Sequence, residues 1–194
     1  LVAWGHYVFT NCWSYSNKIL VIDTRSDQMV HEIELGSWQP KDMTIDSRGK
    51  LWVITDGGYS TGDDSFGDNI PHLYSIDAES FAIEQDFALD TDEGNVQLAM
   101  NPSRDTLYLI NNDIYRMAVT DPHPPVRPFI HAELGQNGRR HFLYAIGVHP
   151  RNGEIYVADA VDYSQSGVVF RYSSDGRLID KFRVGITPNG FAFK

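Results

Sequence analysis

Cysteine is nearly absent: Cys12 stands alone among 194 residues, so neither an intrachain disulfide nor a thiolate metal cluster can form. No run approaches the roughly 18 to 20 consecutive apolar residues that a membrane-spanning helix needs, and nothing at the amino terminus resembles a signal peptide. The chain opens on Leu1 in an apolar stretch instead of an initiator Met, which is what removal of a leader or an upstream domain would leave. Basic residues are scarce, with 16 Lys and Arg against 26 Asp and Glu, for a formal net charge of −10. A surface of that sign repels phosphate backbones, which argues against nucleic acid as a partner. Long amphipathic helical periodicity is missing as well.

What remains is 42% hydrophobic and 22% charged, enough to pack a core and too little charge excess for disorder. Ten Tyr, ten Phe and four Trp are punctuated at short intervals by 16 Gly and 9 Pro, a composition that favours strands joined by turns.

The organisation is repetitive. Lys41 to Val53 (KDMTIDSRGKLWV), Val96 to Leu109 (VQLAMNPSRDTLYL) and Tyr144 to Val157 (YAIGVHPRNGEIYV) each read as strand, polar turn, strand. A polar residue closes the first strand of each (Asp46, Asn101, His149), and an aromatic-centred strand leaves the turn. A third strand recurs as Ile19 to Asp23, Leu73 to Asp77, Ile114 to Met117 and Val168 to Tyr172. A fourth follows at Val30 to Leu35, Ile83 to Leu89, Val126 to Ala132 and Leu178 to Val184. Four strands in about 45 to 55 residues is the unit of a β-propeller blade. The spacing therefore predicts an all-β propeller of four-stranded antiparallel blades, about four of them, spanning approximately 1–38, 39–92, 93–140 and 141–186. The first unit is truncated, with Tyr7 to Asn11 as its second strand and Leu1 to Trp4 as a remnant of its first. Residues 187–194 (TPNGFAFK) read as a further first-type strand that would close a ring. These residues are expected to be the carboxy-terminal part of a larger ring, with a four-bladed ring and a dimeric eight-bladed ring as alternatives.

The stretch Tyr7 to Thr55, with its VIDT strand, following Pro40 and DSRGKLWV hairpin, resembles the YncE-like and surface-layer-type β-propellers. Gly49 to Val53 and the terminal Gly-Phe-Ala-Phe are most similar to the secreted or lipid-anchored seven-bladed propellers of Bacteroidota. That resemblance implies non-enzymatic ligand capture at an extracellular or outer-membrane surface, in a family that includes cobalamin-binding lipoproteins. It does not fix the ligand, and no binding residue carries over from it.

In an antiparallel blade the second-to-third and blade-to-blade connections leave on one face. Here they are the long ones: 11–17, 37–40, 57–71, 90–95, 133–142 and 160–167. They carry Trp13, Tyr15, Trp38, Tyr59, Phe66, Arg139, Arg140, His141, Phe142 and Tyr163, whereas the opposite face has short turns at Ser47, Ser103 and Asn152. Aromatic rings with amide and hydroxyl neighbours suit a flat, polar-edged molecule. The blander reading, stronger for any single ring, is that it caps a blade core. Arg139-Arg140-His141 is the one basic cluster, fitted to a carboxylate or phosphate and equally well read as a solvated loop tip.

Other signals point less far. Asp63 to Asp68 and Asp90 to Asn95 cluster oxygen ligands without the EF-hand spacing, and read as acidic turns. His31-Glu32 is no HExxH helix, and no metal triad or GxSxG elbow emerges. No cofactor is expected. Carried forward are capture of a small molecule, or docking to an outer-membrane transport protein, through the long-loop face; and, as alternatives, a hydrolase or lyase with an axial site using Asp42, Gln97 and His149, or a protein-interaction scaffold.

Overall fold

The structure, a computed structural model, describes residues 1–61, 64–90, 95–132 and 141–194, with the backbone alone for 59–61 and 64–66. Arg139 and Arg140, the 133–140 part of their loop, residues 91–94 of the 90–95 acidic turn, and the side chains of Tyr59 and Phe66 therefore lie outside the described residues. The chain divides into two compact units, Leu1–Thr91 and Asp92–Lys194.

The first unit holds two blades. Strands β1 (Val2–Trp4), β2 (Tyr7–Asn11), β3 (Lys18–Asp23) and β4 (Gln28–Glu34) pair antiparallel in sequence order, the first only three residues long. The second blade is built from β5 (Pro40–Ile45), β6 (Lys50–Thr55), β9 (His72–Asp77) and β10 (Ile83–Ala88). Between β6 and β9 a hairpin, β7 (Gly58–Thr61) with β8 (Asp64–Gly67), rises from the connection. Sequence alone reads that segment as a plain loop. Its register puts Tyr59 opposite Phe66.

The second unit contains β11 (Val96–Met100), β12 (Thr106–Asn111) and β13 (Asp113–Ala118) in one sheet, and β14 (Leu143–Val148), β15 (Ile155–Asp159), β16 (Ser166–Tyr172) and β17 (Leu178–Ile186) in another. The fourth strand expected at Val126 to Ala132 does not form; a single antiparallel bridge, Ile114 to Ile130, replaces it. Pro124, Pro125 and Pro128 explain why, since proline has no N–H to give a ladder. Phe129 nonetheless fills the place, with the Arg116 guanidinium 3.9 Å from its ring centre. Residues 187–194 join no sheet either, contrary to the strand expected there. They pack through side chains, Phe191 and Phe193 lying 5.9 and 5.2 Å from Tyr156 ring to ring.

The alternation of apolar residues is what buries each blade. Phe9, Ile19, Val21, Leu51 and Val53 are wholly inaccessible in the first unit, and Ile110, Ile155 and Val157 are nearly so in the second. Each such side chain contributes about 1.5 to 3 kcal/mol relative to exposure.

The hairpin between first and second strands is closed the same way three times. Asp46 N–H donates to Lys50 O, Asn101 N–H to Thr106 O and His149 N–H to Glu154 O, at 2.8 to 3.0 Å. Each turn then needs one left-handed residue, supplied by Gly49 (φ 78°), Arg104 (φ 56°) and Gly153 (φ 70°). Gly49 is required twice over, because a Cβ there would lie 2.8 Å from the Trp4 ring. His149, a sequence candidate for axial chemistry, is in this series: its Nδ1 accepts the Arg151 N–H at 3.2 Å.

In the first unit the third strands, β3 and β9, end in carboxylates that close the next turn. Asp23 takes the Arg25 guanidinium and backbone N–H, and the guanidinium holds its carboxyl down at about 2. Lys50, with the Ser80 backbone and hydroxyl, holds Asp77 well below the usual carboxylate range. A carboxyl depressed by folding lends stability that is complete above its unfolded value near 4 and lost as pH falls through the folded one. The urea midpoint should therefore drop between about pH 4 and pH 2, and Asp23→Asn should flatten that part of the curve. An unchanged curve in the variant would show that the turn contributes nothing.

Candidate functional site

On the first unit three connections are laced together. Gln39 N–H donates to Ser16 O, Asp56 N–H to Gln39 O and Gly57 N–H to Trp38 O, at 2.8, 3.2 and 3.1 Å. The buried Ser37 hydroxyl donates to Ile70 O at 3.1 Å, accepts from the Thr55 hydroxyl at 2.9 Å, and its backbone N–H donates to Tyr74 Oη at 2.8 Å. Burial of that phenol pushes it up to about 12. Asn11 reaches across to the next blade, its amide donating to the Pro40 and Lys41 carbonyls at 2.6 and 3.2 Å. Loops tied at this many points hold their side chains in fixed places.

Trp13 stands on this platform. Its indole is half exposed, at 50%, yet its Nε1–H donates to Asp56 Oδ2 at 3.1 Å. Asp56 also accepts the Gly58 N–H at 3.1 Å. Trp38 is partly buried against the β7–β8 hairpin: a Cβ on Gly67 would come within 3.2 Å of its Cδ1. Tyr15 is 66% exposed at a left-handed φ of 57°. The structure thus brings Trp13, Trp38 and the hairpin bearing Tyr59 and Phe66 into one laced group of loops.

Sequence reasoning did not find Asp56 or Lys41. Burial pushes the Lys41 ammonium down against the pull of Asp56 and Asp42, and burial raises the Asp56 carboxyl against the Trp13 hydrogen bond and the Lys41 charge. Asp42 bonds the Met43 N–H at 2.8 Å, and Gln97 lies half-buried in β11 opposite Ile110. Of the axial candidates, only Asp42 adjoins a pair of perturbed groups.

The second unit gathers His141, Phe142 and Tyr163. His141 Nδ1 is hydrogen-bonded to Asp159 Oδ2, and Asp159, only 1% exposed, also accepts the Phe142 and Val161 N–H groups at 3.0 and 2.8 Å. Phe142, Tyr144 and Tyr163 form a triangle of rings with centres 5.4 to 6.0 Å apart. Tyr163 is 51% exposed. Tyr144 and Asp159 escaped notice in the sequence because they sit inside strands, where core residues are expected. Among the described residues no three His, Cys, Asp or Glu side chains gather to hold a metal ion, and no helix is long and apolar enough to cross a membrane.

No protein-family model matches the sequence, nor does any curated protein. Solved structures do resemble the fold. A quinoprotein alcohol dehydrogenase-like protein of Bacteroides thetaiotaomicron superposes with a TM-score of 0.67 at 17% identity, over 93% of this chain and 44% of that one. Hydrazine synthase of Kuenenia stuttgartiensis gives 0.63 at 13% identity, over 96% and 62%. The Dos1 propeller gives 0.59 at 12% identity, over 95% and 46%. The chain spans less than two thirds of each, and identities this low speak to fold alone: these four sheets are blades of a β-propeller.

Proposed function

We propose that the chain is a non-enzymatic binding module that captures a flat, polar-edged small molecule on the long-loop side carrying Trp13. The observation that carries this reading is an aromatic ring left half in water while its one polar atom is tethered to a carboxylate. Such a ring offers contact area with its orientation entropy already spent. The likeness of Tyr7 to Thr55 to surface-layer-type propellers extends the proposal to a nutrient, corrinoid-like in size and edge chemistry, taken up at an extracellular or outer-membrane surface beside a transport protein. Titration of the purified protein with cyanocobalamin, followed by Trp fluorescence and native mass spectrometry, tests it. Saturable binding quenched at Trp13 supports the reading, and retention of a different small molecule by native mass would redirect only the ligand. Absence of any retained or titratable small molecule would overturn it.

A second reading has one specific observation behind it. Lys41 and Asp56 are displaced in opposite directions by burial, as in sites that move a proton. An enzyme built on that pair would lose turnover in Lys41→Met while retaining ligand binding.

A further inference from the structure

Blades two and four break the register of their first two strands at the same place. In blade two Pro40 faces Thr55 and Asp42 faces Ile54, so Lys41 is the extra residue; in blade four Leu143 faces Asp159 and Ala145 faces Ala158, so Tyr144 is. Blade three has no such break there, with Val96 and Gln97 facing Asn111 and Ile110 in step. Each bulge is clamped by an asparagine side chain. The Asn11 amide donates to the Pro40 and Lys41 carbonyls, and the Asn95 amide to the Leu143 and Tyr144 carbonyls at 3.3 and 3.0 Å. A bulge re-aims the side chain it carries, and bulges recur beside functional sites.

The two bulges carry different side chains. Tyr144 packs among rings, with Phe142 and Tyr163 at 6.0 and 5.4 Å centre to centre, so the bulge itself does not call for a lysine. Lys41 is half-buried. Among the described residues its ammonium enters no hydrogen bond or ion pair, and it only feels the charges of Asp56 and Asp42. Other lysines show what a structural ammonium looks like in this chain. Lys18 reaches Glu32 at 2.5 Å, and Lys50 reaches Asp77 and Glu84 at 2.7 Å each; those partners push both ammoniums up. Lys181 and Lys194 stand in water. An ammonium drawn out of water without an acceptor costs stability. The same desolvation favours the neutral amine, whose lone pair attacks carbonyl carbon.

The surroundings also select the partner. An anion drawn to the ammonium would meet the fields of Asp42 and Asp56 as well, on a chain of net charge −10. An uncharged carbonyl compound meets no such repulsion. We propose that Lys41 is a nucleophilic lysine that captures an uncharged aldehyde or ketone as an imine. The Nζ lone pair forms the bond to the carbonyl carbon, and the carbonyl oxygen leaves as water with the two protons of the amine, so no oxidant or other co-reactant is consumed. Hydrolysis reverses the step, so capture of this kind needs no turnover. The proposal rests on Lys41 and not on stacking at Trp13, and it stands or falls apart from the capture reading above.

The other lysines supply the control. The full chain is treated at neutral pH with salicylaldehyde and sodium cyanoborohydride, which reduces an imine to a stable secondary amine, and initial labelling is read lysine by lysine by tandem mass spectrometry. Lys41 should label roughly tenfold faster or more than Lys181 and Lys194, although it is the less accessible amine. Excess inorganic phosphate should leave that rate unchanged. Lys41→Met removes a desolvated ammonium and should melt no lower than the parent. Labelling of Lys41 no faster than that of Lys181 or Lys194 would overturn the proposal. Protection of Lys41 by phosphate would replace it with an anion site, and a clearly lower melting temperature in Lys41→Met would show the lysine to be structural; either overturns it equally.

Discussion

Replacing Asp46 by Ala should destabilise the protein by about 3 to 5 kcal/mol, the range for removing one partner from a buried charged network. Asp46 is fully buried, and its carboxylate accepts the Arg48 and Lys50 backbone N–H groups at 2.8 and 2.9 Å and the Trp52 indole N–H at 3.2 Å. The Arg48 guanidinium reaches it at 3.2 Å. Trp52 is itself wholly inaccessible, so its indole N–H has no water to turn to when the carboxylate goes. Each buried donor left without an acceptor costs about 1 to 3 kcal/mol. Asp46→Asn should cost less, because Asn101 shows that an amide can close the same turn: its Oδ1 accepts the Asp105 and Thr106 N–H groups at 3.0 Å each. Tyr108, paired with Ala99, takes the strand position that Trp52, paired with Thr44, holds in the second blade, so the amide at 46 would still have to serve an indole that Asn101 does not face. Urea midpoints for the two variants, read with an unchanged slope, measure both numbers. An Ala variant within about 1 kcal/mol of the parent would mean that the turn is held by its backbone alone.

The second large effect concerns binding. On the proposed binding role, Trp13→Ala should weaken capture of the small molecule by about 1 to 3 kcal/mol, roughly five- to 150-fold, while leaving stability nearly untouched because the ring is half in water. Asp56→Ala separates contact from preorganisation. It leaves the indole in place but releases its Nε1 tether, so it should give part of the Trp13→Ala loss and a larger entropic penalty by calorimetry. Equal affinity in the parent and in both variants would show that the ligand sits elsewhere.

The repeat was legible because it is written twice, in pattern and in turn chemistry. Asp46, Asn101 and His149 mark the end of the first strand in their three copies, and the aromatic at the centre of the next strand follows six or seven residues later. Period-two alternation then says which face is buried, since a strand has only two faces to choose from. Where that logic failed, a backbone fact intervened. Val126 to Ala132 has the apolar content of a fourth strand, but Pro128 within it and Pro124 and Pro125 just before it cannot donate to a ladder, and Ile130 alone forms a bridge. Phe191 and Phe193 alternate like a strand, yet their backbone joins no sheet and their rings pack on Tyr156 instead. The hairpin at 58–67 hid in a polar, glycine-rich stretch with no apolar run to announce it.

By itself, then, the sequence determined the secondary structure class and the blade unit, because both follow from short-range periodicity and turn residues. Only the tertiary structure decided which of the loop aromatics are held and by what. Trp13 is tied to Asp56 across 43 residues and Asn11 to the carbonyls of the next blade, while His141 is fixed by a carboxylate from the next strand. Such pairings depend on distances between segments far apart in the chain, and neither the spacing nor the type of a single residue encodes them.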